Sequence, residues 1–168
     1  MKQFILFVMS CGILLSCSEE EILTSTTPNP GTCIVSGKVK ANLNSANDTI
    51  LAGQINYENA NNINITFVVN SEDLEIHPDD NFEYEMLSFT TQVINGEYNV
   101  ELPAISRPYN VDVILEEFNY NQQFLYYDAN LDSSYVTTTE KLFYSPQASV
   151  NNIVKNNNKT QNFTYITQ

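Results

Sequence analysis

Three groups of residues in this sequence have types and a spacing that could do chemistry. Cys17 follows an apolar N-terminal run, His77 is the only histidine, and Asp128, Asn130 and Asp132 alternate along the chain. A serine or cysteine nucleophile needs an activating base, and His77 would have to serve any such nucleophile alone. The motifs Gly-x-Ser-x-Gly, Ser-x-x-Lys and His-Glu-x-x-His do not occur in the sequence. The sequence therefore predicts no catalytic site and a protein that is not an enzyme.

The metal-binding potential of the sequence lies in two acidic clusters. Asp128, Asn130 and Asp132 present oxygen atoms at the spacing of a calcium loop, and calcium takes about six to eight oxygen ligands. The turn glycine expected after Asp132 is missing, and Thr139 occupies the position of the closing glutamate. The second cluster lies at residues 72–80. We expect both clusters to be solvated loops with no metal or cofactor, and a calcium-stabilised adhesin is the alternative.

The N-terminal run has the features of a targeting segment. Lys2 supplies a positive start, and residues 4–15 are nearly unbroken apolar, which is the length of a signal-peptide core. A membrane-spanning helix needs about 20 apolar residues, and this run ends before the acidic residues 19–21. We therefore predict a cleaved signal peptide and no spanning helix.

The end of this run carries a more specific signal. The residues Leu14-Leu15-Ser16-Cys17 resemble the lipobox of bacterial lipoproteins. The resemblance implies that residues 1–16 are removed, that the Cys17 sulfur is diacylated, and that its new amino group is acylated. Two or more acyl chains hold a soluble domain stably at a membrane. An ordinary secretory signal and an uncleaved anchor are the alternatives.

The residues after Cys17 indicate where the anchored protein goes. Ser18 stands where an aspartate would resemble an inner-membrane retention signal, and the acidic residues 19–21 resemble the surface-export tag of Bacteroidota lipoproteins. The resemblance implies an outer-membrane protein facing outward, and an acidic linker in the periplasm is the alternative. We expect residues 17–31 to form a flexible linker. Cys33 is then the remaining thiol, and we predict that it is a small buried hydrophobe.

Composition limits the partners of the protein. The chain has 168 residues, of which 42% are hydrophobic and 16% are charged, so it can form one domain with a core. The formal charge is −13, and no lysine or arginine occurs between Lys40 and Arg107. A nucleic-acid binder needs a basic face, so that class is excluded. The negative surface could attract a basic protein or a divalent ion, and solubility alone is the alternative.

Alternation of apolar and polar residues predicts an all-β fold. Asn95-Gly96 is a strong signal for a type I′ hairpin turn, because both residues tolerate positive φ, and we expect Pro103 to end the strand that follows. Helical periodicity is not sustained anywhere. The pattern predicts a single antiparallel Ig-like or transthyretin-like β-sandwich over residues 32–168. The predicted strands cover residues 35–43, 50–57, 63–69, 84–93, 98–102, 109–115, 118–127, 135–144 and 159–167.

Two segments resemble a known domain family. Residues 36–39, with the sequence Ser-Gly-Lys-Val, and the hairpin at residues 95–104 are similar to carboxypeptidase-regulatory-like and transthyretin-like sandwiches. The whole layout also resembles small lipoproteins of the Bacteroidota. The resemblance implies a non-catalytic spacer, binding module or assembly part, and it transfers no catalytic residue.

An aromatic row follows in the second half of the domain. Phe118, Tyr120, Phe124, Tyr126 and Tyr127 lie in one predicted strand, and Gln122 interrupts the row. The alternation favours the buried face of a strand. The alternative is a surface for sugar stacking or protein contact, with Tyr120, Tyr126 and Tyr127 as the candidate ligand residues.

A modification site is also suggested by sequence. Asp48-Thr49-Ile50 resembles the short O-glycosylation motif of Bacteroidota envelope proteins. The resemblance implies a glycan on Thr49, and a chance match of three residues is the alternative.

Together these observations predict an outer-membrane lipoprotein that acts as a non-catalytic interaction or structural module of the cell envelope. Its partners would be the membrane, through the lipid, and an envelope protein or a glycan. A carbohydrate-binding accessory protein and the calcium-stabilised adhesin are the alternatives.

Overall fold

The computed structural model describes residues 31–48 and 54–168, so Cys17 and Thr49 lie outside the described residues. Within these two ranges, the 3-10 turns Ser45–Asn47 and Ser71–Leu74 interrupt an otherwise all-β structure. No helix in these two ranges is long and apolar enough to cross a membrane. The strands are β1 Gly31–Ala41, β2 Glu58–Asn59, β3 Asn64–Asn70, β4 Met86–Gln92, β5 Glu97–Ala104, β6 Tyr109–Leu115, β7 Phe118–Asp128, β8 Ser133–Tyr144, β9 Ala148–Ile153, β10 Asn158–Thr160, β11 Phe163–Thr164 and β12 Ile166–Thr167.

Two sheets form the sandwich. In the first sheet, β1 is central and pairs antiparallel with β2 and β5, whereas β10 and β11 join it in parallel. The second sheet is antiparallel, with the order β4-β3-β6-β9. The inward faces of both sheets contribute to one apolar core, in which the rings of Phe67 and Tyr98 lie 5.8 Å apart. The predicted all-β class is therefore confirmed.

The core follows the alternation of the sequence. In β1 the side chains of Val35, Val39 and Ala41 are fully buried, and in β6 every second residue from Tyr109 to Leu115 is buried. Successive side chains of a strand point to opposite faces, so an alternating pattern buries one face. Cys33 is also fully buried, as predicted.

The predicted turn at Asn95-Gly96 is present, but the two strands that it joins, β4 and β5, belong to different sheets. Both residues have positive φ, 53° and 76°, and Ile94 and Glu97 form an isolated bridge. Beyond this bridge, β4 pairs with β3 in the second sheet and β5 pairs with β1 in the first. The turn therefore connects the two layers of the sandwich rather than two neighbouring strands.

Pro103 does not end its strand, contrary to the prediction. β5 continues to Ala104, and Pro103 lies opposite Thr32 of β1. Proline is tolerated on edge strands because its missing N–H can face away from the partner strand. Among the described residues β5 pairs with β1 alone, which makes it such an edge.

The C-terminal segment also differs from the single strand predicted for residues 159–167. It forms three short strands, of which β10 and β11 run parallel to β1 and β12 pairs with β8. The chain steps between these strands over Gly37, where the Gln161 N–H donates to the Ser36 carbonyl. The strand β9 was not predicted, because its Asn-rich sequence alternates poorly. The predicted strand at 50–57 lies partly outside the described residues, and a short strand follows it at Glu58–Asn59.

A long hairpin forms a third sheet beside the sandwich. β7 and β8 are paired from Phe118 and Phe143 at the near end to Asp128 and Ser133 at the turn. The near end packs against the core, since the Phe118 ring stacks on Phe143 at 5.2 Å and meets Tyr165 edge-on at 5.0 Å. Farther along, most side chains of both strands are exposed. The hairpin therefore extends away from the body that anchors it.

Candidate binding surface

The residues considered for catalysis and for metal binding are His77 and the two acidic clusters. His77 is exposed in the acidic loop before Pro78. No three His, Cys, Asp or Glu side chains converge within residues 31–48 and 54–168.

The aromatic row of β7 lies mostly on the surface, so the preference for a buried face was wrong. Tyr120, Tyr126 and Tyr127 are 44%, 53% and 57% exposed. The alternation itself is real, because Tyr120, Phe124 and Tyr126 share one face of the hairpin. What the sequence could not show is that the hairpin extends past the sandwich, so that neither face of its far end has a layer to cover it.

The far end of the hairpin is apolar on both faces. We call residues 124–137 the distal hairpin. On one face the rings of Tyr126 and Tyr135 lie side by side, with centroids 5.2 Å apart. On the other face Leu125 lies directly opposite Val136, and Leu131 in the turn is 70% exposed. Exposed apolar side chains that are contiguous mark interaction sites more often than scattered ones do.

The residues considered for calcium form the turn of this hairpin. The Asn130 N–H donates to Asp128 Oδ1 at 2.8 Å, and the Tyr127 hydroxyl donates to Asp132 Oδ1 at 2.6 Å. The hydrogen bond to Asp132 raises the pKa of Tyr127. The carboxylates of Asp128 and Asp132 thus accept hydrogen bonds from within the turn, and these bonds stabilise the conformation of the hairpin tip.

Gln122 is a structural residue that the sequence reasoning missed. Its side chain is only 4% exposed, and Nε2 donates to the Asn42 carbonyl at 2.6 Å and to Ser45 Oγ at 2.8 Å. The signal was present, because a glutamine on the inward side of an alternating row must find partners there. Gln122 therefore marks the point where the hairpin leaves the sandwich.

The second acidic cluster lies beside two aromatic rings. Phe82 and Tyr84 meet edge-on with centroids 4.9 Å apart, and they line a cavity of about 420 Å³ together with glutamates. Asp79 accepts two hydrogen bonds from Asn81, and the bond from the Asn81 N–H is the main reason why the pKa of Asp79 is lowered. The Arg107 guanidinium donates to the Glu75 carbonyl, not to a carboxylate.

Comparison with known proteins adds no relative, because no family model, no curated protein and no solved structure matches this chain. The resemblances to bacterial lipoproteins and to transthyretin-like sandwiches therefore stay predictions. The structure contributes a different result, namely that the tyrosines proposed as a ligand surface are exposed and lie on one projecting element.

Proposed function

We propose that this protein is a lipid-anchored, non-catalytic interaction module of the outer membrane that faces outward and makes its contacts through the β7–β8 hairpin. Cys17 supplies the anchor, residues 18–30 supply the tether, and the sandwich supplies a rigid base. The anchor raises the effective concentration of any partner at the envelope.

The observation that carries this proposal is the distal hairpin. Six large apolar side chains are exposed within its 14 residues, whereas the other exposed ones, such as Phe82 and Ile114, are distributed over the rest of the described residues. The paired strands Phe118–Tyr127 and Ser133–Thr139 carry no charge, although the chain has a formal charge of −13. A projection that is apolar along its strands and carries charge only at its tip, on Asp128 and Asp132, is suited to contact. The six residues are Leu125, Tyr126, Tyr127, Leu131, Tyr135 and Val136.

The anchor is tested by fractionation. Cys17→Ala should release the protein from membranes or block its processing, whereas Cys33→Ala, at a buried position, should leave fractionation unchanged. Mass spectrometry of the membrane-bound form should find acyl chains on Cys17. An unmodified thiol at that position would contradict the proposal. Digestion of intact cells with a protease should degrade the protein if it faces outward.

The contact function is tested by polar substitution of the hairpin. Leu125→Ser with Val136→Ser should remove partners that are cross-linked to the protein in intact cells. Ile114→Ser changes an exposed apolar residue of β6, on the body of the sandwich, and it should leave those partners in place. If both variants keep the same cross-links, the hairpin is not the contact element.

A second candidate function is glycan binding, which the Tyr126–Tyr135 pair favours. Two rings at 5.2 Å form a platform for a sugar face, and the neighbouring strand supplies threonine hydroxyls. Saturable binding in a glycan panel should be lost in Tyr126→Ala and in Tyr135→Ala, because each removes one ring of this pair. Phe82→Ala, at an exposed ring elsewhere, should bind as the parent protein does. No binding across the panel would leave the protein-contact function as the proposal.

A further inference from the structure

Among the described residues, the outer edge of β8, on the side away from β7, is unpaired along most of its length. Near the sandwich the edge is occupied, because β12 pairs with Phe143 and Tyr144 and the Gln168 N–H donates to the Leu142 carbonyl. Alternate residues of a strand direct their N–H and C=O to the same side. Ser134, Val136, Thr138 and Glu140 therefore face the side that Leu142 faces, and on that side no strand in the described residues pairs with them.

This edge lacks the features that protect strands from pairing with another chain. Proteins block exposed edges with lysine, proline, bulges or very short strands. The run Ser133–Thr139 contains no charge, proline or glycine, and the β7–β8 register shows no bulge along it. Valine, tyrosine and threonine, which favour strands, occupy most of the run. The edge is therefore competent for strand addition.

We propose that the occupant of this edge is a second copy of the same chain, paired antiparallel along β8 around a two-fold axis at Thr137. The two hairpins would then form one four-stranded sheet, in the order β7-β8-β8-β7. Two-stranded hairpins are marginally stable alone. Each hairpin would therefore be stabilised by the two strands that the second copy adds beside it. The contact uses the same edge on both copies, which a two-fold axis requires.

Charge favours a second copy in this register. With the axis at Thr137, Glu140 lies opposite Ser134 of the second copy, and Lys141 lies opposite Ser133. The neighbour of Ser133 within its own hairpin is Asp128, so the lysine of one copy approaches a carboxylate of the other. Because both copies carry a formal charge of −13, a register without like charges directly opposite each other is favoured.

The adjacent registers are unfavourable. An axis at Val136 would place Glu140 directly opposite Asp132 of the second copy, and like charges directly opposite are destabilising. An axis at Thr138 would place Ser133 opposite Phe143, where β12 already occupies the edge. The register centred on Thr137 avoids both conflicts. The inference does not rest on the lipid anchor or on glycan binding.

Cysteine cross-linking tests this arrangement in the full-length chain. At the axis, Thr137 faces its own copy in a non-hydrogen-bonded pair with a Cα separation of about 4.5 Å, which is within the range of a disulfide. Whole cells that express Thr137→Cys should give a reducible dimer of the full-length chain on non-reducing gels. Thr139→Cys is the matched control, because Thr139 would lie opposite Tyr135 and about 13 Å from its own copy. It should stay monomeric.

A third variant separates strand pairing from random collision. Thr138→Pro removes an N–H that points outward, so it leaves the bonds between β7 and β8 intact. Added to Thr137→Cys, it should lower the dimer yield at least about tenfold, with an unchanged melting temperature. Absence of the Thr137→Cys dimer would overturn the proposal. Equal dimer from Thr139→Cys, or a dimer that survives Thr138→Pro, would overturn it as well.

Discussion

Gln122 is the one buried polar side chain among the residues that the structure describes. Its amide nitrogen bridges the base of the hairpin to the segment after β1, through the Asn42 carbonyl and the Ser45 hydroxyl. A buried donor or acceptor that loses its partner costs more than an exposed bond does, because no water replaces the partner. A single side chain thus fixes where the hairpin leaves the sandwich.

We expect Gln122→Ala to lower the free energy of unfolding by about 1–3 kcal/mol, because it leaves the Asn42 carbonyl without that donor. Gln123→Ala is the matched control, since the Gln123 side chain is exposed and only its backbone N–H bonds to Leu43. Its expected change is within about 0.5 kcal/mol. Urea unfolding measures both values, and equal losses in the two variants would contradict the bridging role.

Three buried tyrosines should make the folded protein less stable at high pH. Burial raises the pKa of Tyr98, Tyr109 and Tyr165 far above the ordinary value of a phenol. Their hydroxyls donate to the carbonyls of Gln161, Pro103 and Glu116, respectively. The unfolded chain loses these protons near pH 10, whereas the folded chain retains them. The unfolded state then binds fewer protons, so stability is full below about pH 10 and falls as the pH rises further.

The urea midpoint should therefore fall between about pH 9 and pH 11. Tyr98→Phe removes one of the three titrating groups, so its slope against pH should be about one third smaller, whatever its stability at neutral pH. Tyr126→Phe, at a half-exposed ring of the distal hairpin, should keep the slope of the parent protein. A Tyr98→Phe slope equal to that of the parent would rule out Tyr98 as a source of the dependence.

At the scale of elements, the positions of the strands could be predicted from the sequence better than their pairing partners could. Alternation located β1 and the strands β3 to β8, and the Asn95-Gly96 turn was found where predicted. The partners of those strands were not predictable in the same way. β4 and β5 separate because they join different sheets, in which β4 pairs with β3 along seven residues and β5 pairs with β1 along eight. The exposure of the tyrosine row depends on what lies beside the hairpin, and an alternating pattern does not contain that information.

The parallel docking of β10 and β11 depends on a close approach at Gly37. A Cβ built there would lie 1.7 Å from the backbone oxygen of Gln161, which cannot move without shifting the chain between the two strands. The Tyr98 hydroxyl holds the same oxygen at 2.7 Å. This glycine is therefore required by the crossing of the C-terminal segment over β1.

We expect Gly37→Ala to destabilise the protein by about 1–3 kcal/mol, which is the range for overpacking. In Gly31→Ala the new methyl would meet only the flexible side chain of Lys155, so its expected change is within about 0.5 kcal/mol. Urea unfolding compares the two variants of the same strand. Hydrogen exchange should also show earlier exposure of residues 158–164 in Gly37→Ala. Equal stability of both variants would show that the C-terminal segment does not pack this tightly.

At the scale of the whole molecule, the negative charge of the acidic residues far exceeds the positive charge of the lysines and arginines. Acidic residues outnumber basic ones by 20 to 7, and the described ranges contain one ion pair, between Lys38 and Glu97 at 3.9 Å with both side chains exposed. Such a pair contributes little. The remaining carboxylates, concentrated between Lys40 and Arg107, repel one another and oppose the compact state.

Added salt should therefore stabilise this protein, because screening at about 0.1 M acts over about 10 Å. The urea midpoint should rise between about 20 mM and 200 mM sodium chloride. Glu83→Gln should raise the midpoint at low salt and reduce the response to salt, whereas Lys38→Gln should do the opposite on both counts. These opposite signs separate charge repulsion from a general effect of salt on burial, which would shift all three proteins alike. A midpoint that falls with salt in the parent protein would show that attraction between its charges outweighs their repulsion.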